Sequence, residues 1–469
     1  MKTQSNPTQT SPSTGEVCLS TMPLGWRHYR IVFTASLGQL IGTALATMVS
    51  VMIPMIQIVS HPELSSFMQG LMGAMDLIGI AAGSVVIGKL TDRYGYLLFF
   101  RLCPVMILLA AVMGLIWPTV AVTLVSLFLM GFAIGGEYSL DSDYVSELLP
   151  IKWRSTMVGV TKAASALGNI LVAGACWALL LYWNAATAWP KLLWMMVLIS
   201  GIMIASRIHF AGSPYWLAEH GRLKEGEAAA KYLLGDDVTL DLAQIEADEK
   251  KKAEEKSNRT GLRSFIAKNG RKIILTGVPW ACEGLGVYGI GVFLPILLLA
   301  LGIGHESPGA SQYMHVTYSV KMTFWISCVM LPGFIIGLVL IPKMRSVKIL
   351  SWGFYLSAAS LVLLWLGYDL KWHAAITVVA FMLFELFLNA GPHLITYVLP
   401  PEVYPVKDRS LGSGIAACLG KVGAVLAVFF IPLMLKWGGV NLVLIVSTVT
   451  MIVGGLITTV FSSLVTKKS

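Results

Sequence analysis

Several ionisable side chains interrupt runs that are otherwise strongly apolar. Asp76, Glu137, Asp141, Glu283, Glu385 and Lys421 each lie inside a long hydrophobic stretch, together with the polar Gln39, Asn389 and His393. A charge held at the middle of a bilayer is costly unless paired or wet, so such residues mark solute and proton pathways. The residue types point to two kinds of chemistry. Lys421, on a small-residue face with Gly420, Gly423 and Ala424, can hold an anion; the alternative is a structural pair with Glu385 or Glu283. Glu137 and Glu283 are carboxyls withdrawn from water, which can load and release a proton or can be locked to a neighbouring lysine or hydroxyl. Asp141 follows Glu137 on the same helix face, and its simplest partner is Lys162 of the next run. Asp76 is either a coupling acid or a tether between the first two runs. Glu385 and Asn389 share a face that His393 continues, as a titrating group or as a hydrogen-bonded packing histidine. Tyr138, Trp280, Tyr288 and Gln39 are candidates to line the same cavity. No nucleophile–base pair, metal-ligand spacing or Walker motif stands out, so neither an enzyme nor a bound metal or cofactor is expected.

The elements that hold these residues follow from composition. The chain has 469 residues, 56% hydrophobic and only 13% charged, with a mean hydropathy of +0.74. A soluble domain averages about 25% charged residues, so a soluble enzyme, a disordered chain and a collagen-like fibre are all excluded. Twelve apolar runs fall near 31–59, 66–88, 97–116, 119–146, 156–183, 191–208, 273–302, 318–341, 348–367, 374–399, 410–434 and 438–462. Each is long enough for a membrane-spanning helix and too long and uniform for a barrel strand. The expected fold is an all-α membrane protein of twelve transmembrane helices in two pseudo-symmetric six-helix bundles. Its parts are a disordered N-terminus over 1–27, bundles over 28–208 and 273–462, a linker with short helices over 209–272, and a tail over 463–469. The linker carries the mixed-charge run 248–256, which cannot enter lipid.

Basic residues set the expected topology. One set of connections holds Arg27, Arg30, Lys89, Arg93, Lys152, Arg154, Lys343, Lys348, Lys407, Arg409, Lys467 and Lys468, and the opposite set holds Lys191, Lys371 and Lys436. By the positive-inside rule both termini are cytoplasmic. The net charge of +9 is then mostly topological, and nucleic acid is not an expected partner.

Four stretches carry a family resemblance. Gly88-Lys89-Leu90-Thr91-Asp92-Arg93-Tyr94-Gly95 resembles the G-x-x-x-D-R-x-G signature of the major facilitator superfamily. Tyr144 to Arg154, with Glu147 and Pro150 inside it, resembles the Y-x-x-E-x-x-P-x-x-x-R element of sugar porters. Ser213-Pro214-Tyr215-Trp216-Leu217 resembles their S-P-R-W-L element, and Pro401-Glu402-Val403-Tyr404-Pro405 leading to Arg409 resembles P-x-E-x-[FY]-P-x-x-x-R. Within that clade the chain is similar to phosphate:proton symporters. Gly135-Gly136-Glu137-Tyr138-Ser139-Leu140 resembles G-G-D-Y-P-L, Asn389-Ala390-Gly391-Pro392-His393 resembles N-F-G-P-N, and Gly420-Lys421-Val422-Gly423-Ala424 resembles G-K-x-G-A. Trp280, Glu283 and Tyr288 resemble a W…D…Y cluster, with the spacing to the tyrosine one residue longer. The chain departs from the symporters in having no acid in the first run and in placing His393 where they carry an asparagine.

The resemblance implies a secondary active transporter in the plasma (bacterial inner) membrane, working as a monomer. Its expected partners are a small-molecule substrate, protons and membrane lipid. The implied substrate is a small anion, phosphate or an organic carboxylate, held by Lys421 with Asn389, Tyr138, Trp280, Tyr288, Glu385, His393 and Gln39. Protons would move on Glu137, Glu283, Asp76 or Asp141. Asp92, Arg93, Glu147, Arg154, Glu402 and Arg409 would form ion pairs that gate the cytoplasmic side. Two other readings stay open: a carrier of an organic cation or a neutral solute such as a sugar, in line with six deep acids against three deep lysines, and a sensor that binds solute without transport.

Overall fold

The computed structural model describes residues 17–19, 22–240, 262–303, 310–404 and 406–465; the side chains of Asp92, Asp143, Arg154 and Arg409 and the 248–256 run lie outside the described residues. Spans 1 to 5 are the helices Trp26–Val59, Ser66–Tyr94, Tyr96–Ile116, Val120–Leu148 and Arg154–Trp183. Span 6 begins as a tight helix, Ala186–Leu193, and continues as Trp194–Arg207. Span 9 is Ser346–Asp369. Hydroxyl side chains close several open helix starts: Ser65 accepts from the Met68 amide, Thr119 from Val122 and Ser311 from Met314.

Spans 7, 8 and 10 are broken near mid-length. Span 7 runs from Leu262 to Gly284, passes through a π-helical turn at Leu285–Ile290 and resumes over Gly291–Ala300. It starts well before the expected residue 273, with a bend at Asn269. Span 8 divides into Gln312–Ser327 and Met330–Leu340, and span 10 into Ala374–Ala390 and Pro392–Val403. Discontinuous helices free backbone groups at depth, and bilayers tolerate them where they line a cavity. Spans 11 and 12 follow one another within Val406–Val460, broken at Gly439. A straight 55-residue helix would be ~80 Å long, more than twice the ~30 Å hydrocarbon core. The positive φ of +62° at Gly439 turns the chain back.

Packing within the first half is close. A Cβ on Gly83 would lie 1.8 Å from the Phe132 carbonyl oxygen, and one on Gly131 would lie 2.1 Å from that of Asp76. Spans 2 and 4 therefore meet backbone to backbone, as small residues allow in lipid. Gly95, at φ +88°, turns span 2 into span 3, and Trp216 of the linker packs where its Cβ would be.

Both described chain ends lie on one face. Val17 and Cys18 pair in parallel with Val238 and Thr239, and Arg345 donates to the carbonyl of Val465 at 2.8 Å. Leu19, Tyr215, Leu233 and Leu240 join Ile31, Phe100, Tyr144 and Phe210 in a small second core on that face. This corrects the expectation of a disordered head for residues 17–19: Val17 and Cys18 are a strand partner of the linker, and Leu19 beside them is buried in the small second core. On the opposite face the halves meet tightly. A Cβ on Gly70 would lie 2.3 Å from the Phe429 carbonyl oxygen, and Tyr313 donates to the carbonyl of Leu180.

Candidate substrate site

Between the halves two lysines face one cluster of tyrosines. Lys421 projects from span 11, whose Gly420 and Gly423 bring it against Trp280 and Ala281 of span 7. Its Nζ is 3.5 Å from the Tyr288 hydroxyl, 4.9 Å from that ring's centroid and 5.5 Å from the centroid of Tyr138 in the first half. Lys162 projects from span 5. It donates to the Tyr397 hydroxyl at 3.1 Å and to Gln39 Oε1 at 3.4 Å. Its Nζ is 4.2 Å from the Tyr397 centroid and 5.5 Å from that of Tyr138, distances that favour cation–π attraction. Trp280 meets Tyr397 edge to face at 4.7 Å. Among the described residues neither lysine has a carboxylate oxygen within the 4.0 Å of an ion pair.

The buried acids are engaged elsewhere. In the second half Glu283 Oε1 is 2.7 Å from His393 Nδ1, and Asn389 donates to Glu385 Oε2 at 3.1 Å and to the Glu385 carbonyl at 2.7 Å. Neither acid serves Lys421, so its alternative role as a structural partner is not what this arrangement displays. Asp76 is buried and accepts from the Leu77 amide at 2.7 Å, and its Oδ2 has no hydrogen bond among the described residues. It lies within electrostatic reach of Lys421 and makes no tether to span 1 among the described residues.

The first half contains a second charged cluster. Arg207, at the end of span 6, grips Glu137 with two bonds of 2.8 and 2.6 Å and donates to the Phe100 carbonyl at 2.7 Å. Its guanidinium lies 3.8 Å from the centroid of the Phe100 ring, and Asp141 Oδ1 is 3.7 Å from Nη2. All three charged side chains are at most 1% exposed. The expected Asp141–Lys162 pair is corrected here: span 6 brings a guanidinium to Asp141, while Lys162 turns toward the other half. Span 1 lacks an acid but makes room for these groups. A Cβ on Gly38 would lie 2.0 Å from Asp141 Oδ2, and one on Gly42 would lie 1.9 Å from the Tyr138 hydroxyl.

Of the expected gating residues, Glu147 is held by a hydrogen bond from Ser213 Oγ, which also caps Trp216. Arg93 is exposed, 5.3 Å from the centroid of Tyr94, and Glu402 is half-buried at the end of span 10. The side chains of Asp92, Arg154 and Arg409 lie outside the described residues.

The structure thus gathers Gln39, Tyr138, Trp280, Tyr288 and Lys421 at one centre. Glu283 and His393 lie beside it, His393 6.5 Å from Tyr397 between ring centroids. Glu137 and Asp141 stand apart with Arg207. Lys162 and Tyr397 belong to the centre although their sequence pattern did not place them there. Arg207 could have been found as a cation inside the sixth apolar run, at a helix end where a topological role also fits.

Comparison with known proteins follows the same lines. The profile of the family described as "Sugar (and other) transporter" matches residues 31–468. The chain is 25% identical over 446 residues to the inner membrane metabolite transport protein YgcS of Escherichia coli, covering 95% of this chain and 94% of that protein. It is 24% identical to the repressible high-affinity phosphate permease of Neurospora crassa, covering 86% and 77%. The partially occluded inward-open structure of the xylose transporter XylE from Escherichia coli superposes with a TM-score of 0.74 at 15% identity, over 92% of this chain and 97% of that one.

Proposed function

Because the chain belongs to the sugar (and other) transporter family of the major facilitator superfamily, we propose that it is a proton-coupled symporter of a small anion, working by alternating access. That it is a multi-pass transporter rather than an enzyme is the family's own property. The anion and the proton are what the site adds. One observation carries the anion: Lys162 and Lys421 come from opposite halves to the same tyrosine, and among the described residues neither makes an ion pair, although Glu283 and Asp76 lie within electrostatic reach of them. A fixed cation left unpaired in a low-dielectric site is expensive unless a ligand supplies the counter-charge. An organic cation fits the same place poorly, because the two ammonium groups beside Tyr138 would repel it.

The proton reading rests on a charge count. Arg207 brings one positive charge to two buried carboxylates. The cluster therefore carries a net negative charge or one bound proton. Asp141, whose oxygens have no hydrogen-bond donor among the described residues, is the member best placed to take it. The Glu283–His393 pair, next to the substrate centre, is the second proton store. With both termini on the cytoplasmic side of a bacterial inner membrane, the tight contacts around Gly70 and Leu180 would close the outer face. The half-buried Glu402 and the Glu147–Ser213 bond would lie at the inner gate, with Asp92, Arg93, Arg154 and Arg409.

The test is uptake by proteoliposomes holding the purified protein. They are offered phosphate, organic acids, organic bases and sugars, with and without an inward proton gradient. The expected result is anion accumulation that a protonophore collapses and Lys421→Glu abolishes. Uptake of cations or sugars alone, or full anion uptake by Lys421→Glu, would sink the reading. Binding without counterflow would identify a sensor.

A further inference from the structure

The two lysines differ in depth and in company. Lys162 is eight residues beyond Arg154, the start of span 5, and Lys421 is fifteen beyond Val406, the start of the span 11 helix. At ~1.5 Å per residue they stand ~12 and ~22 Å from the same face. Each ammonium has its own tyrosine, Tyr397 for Lys162 and Tyr288 for Lys421, and Tyr138 lies 5.5 Å from both. Each also reaches the other electrostatically, as like charges. The site is thus an elongated trough along the transport axis. It has a cation at each level and a different half of the protein behind each cation.

We infer that this trough selects an organic dianion whose two negative groups are separated along the molecule, such as a dicarboxylate, with Lys162 as the residue that distinguishes it from a monoanion. The inference rests on the anion reading above. Two ammonium groups facing each other across the halves repel; Glu283 and Asp76 temper them from a distance without pairing, and a ligand with a single negative charge gives a direct partner to only one of them. A ligand carrying one charge for each lysine lets the halves approach. The ring of Tyr138, 5.5 Å from both ammonium groups, suits the uncharged middle of such a ligand, with one charged end toward each lysine. Tyr397 and Gln39 hold Lys162 in place until a carboxylate replaces them.

The experiment uses the full-length protein in proteoliposomes and measures inhibition of counterflow. Straight-chain monocarboxylates are compared with α,ω-dicarboxylates of equal carbon number, and inorganic phosphate is included. Dicarboxylates are expected to compete about tenfold or more better than their monocarboxylate partners, as one added charge-assisted contact allows. Lys162→Gln should collapse that ratio toward one, and Lys162→Arg should restore most of it. Melting temperatures confirm that both variants are folded. Equal competition by the two series overturns the inference, as does phosphate competing best, or an unchanged ratio in folded Lys162→Gln. If no anion is taken up at all, the anion reading itself has failed, and this shows in the unmodified protein before any variant is compared.

Discussion

The arginine cluster and the lysine trough are both buried groups of charge, built on opposite principles. Around Arg207 opposite charges lie 2.6 to 3.7 Å apart, inside one half, on spans 4 and 6. Around Lys162 and Lys421 the charges are alike and come from different halves; their direct contacts are tyrosine rings and neutral oxygens, with Glu283 and Asp76 acting only from beyond ion-pair distance. The first arrangement satisfies itself and holds a bundle together. The second is incomplete without something from outside, and it lies where spans 7 and 10 of the second half are broken. A buried ion pair is weak evidence for stability but strong evidence for dependence, because removing one partner strands the other. A lysine with no ion-paired acid strands far less when it is removed. The two clusters should therefore fail in different ways.

The largest effect is expected at Arg207. Arg207→Met leaves Glu137 and Asp141 buried without a cation, a loss of about 3–5 kcal/mol for a broken buried pair. The melting temperature in detergent should fall steeply, and yield with it. Adding Glu137→Gln should recover part of the loss. A single variant that melts like the unmodified protein would remove the structural role assigned to the cluster.

Lys421→Gln should invert that pattern. Uptake should be lost, while the melting temperature changes far less than in Arg207→Met, because among the described residues no carboxylate is ion-paired or hydrogen-bonded to the lysine. If Lys421→Gln unfolds the protein as Arg207→Met does, the two clusters are the same kind of object and the contrast disappears. Asp141→Asn comes next. It removes the excess negative charge of the cluster without touching the two bonds from Arg207 to Glu137. Counterflow should persist, and stimulation by an inward proton gradient should vanish. Retained stimulation would move the proton to the Glu283–His393 pair.

How much of this was legible follows from what the membrane imposes. The twelve runs were visible because lipid demands long apolar helices, although the turn at Gly439 lies just inside the last run, expected to begin at residue 438. Gly95 was visible as part of a motif, but the reason for it, a positive φ beneath Trp216, needed the fold. The extra residue before Tyr288 becomes intelligible in three dimensions. The π-helical turn at Leu285–Ile290 is wider than an α-turn and absorbs an added residue, so Tyr288 still reaches Lys421. Lys162 was paired with the wrong group because estimated depth on consecutive helices does not give side-chain direction: its partners are Gln39 on span 1 and Tyr397 across the interface. Arg207 was hidden by its place near the end of a run, where a basic residue is also a topological signal.

The smallest effect sharpens the comparison by holding geometry constant. Arg222 and Glu225 in the linker also meet at 2.6 Å, but with side chains 50% and 60% exposed. The hydrogen bond from Arg222 holds the Glu225 carboxyl below its ordinary range. Any stabilisation is therefore present at neutral pH and fades as the pH falls through the carboxylate range. Water already solvates both groups, so the pair competes with hydration and is screened by salt. Glu225→Gln should leave both melting temperature and uptake unchanged within error, at low and at physiological salt. A measurable loss would mean that an ion pair's length, rather than its removal from water, sets its worth here. The contrast drawn for Arg207 would then need a different cause.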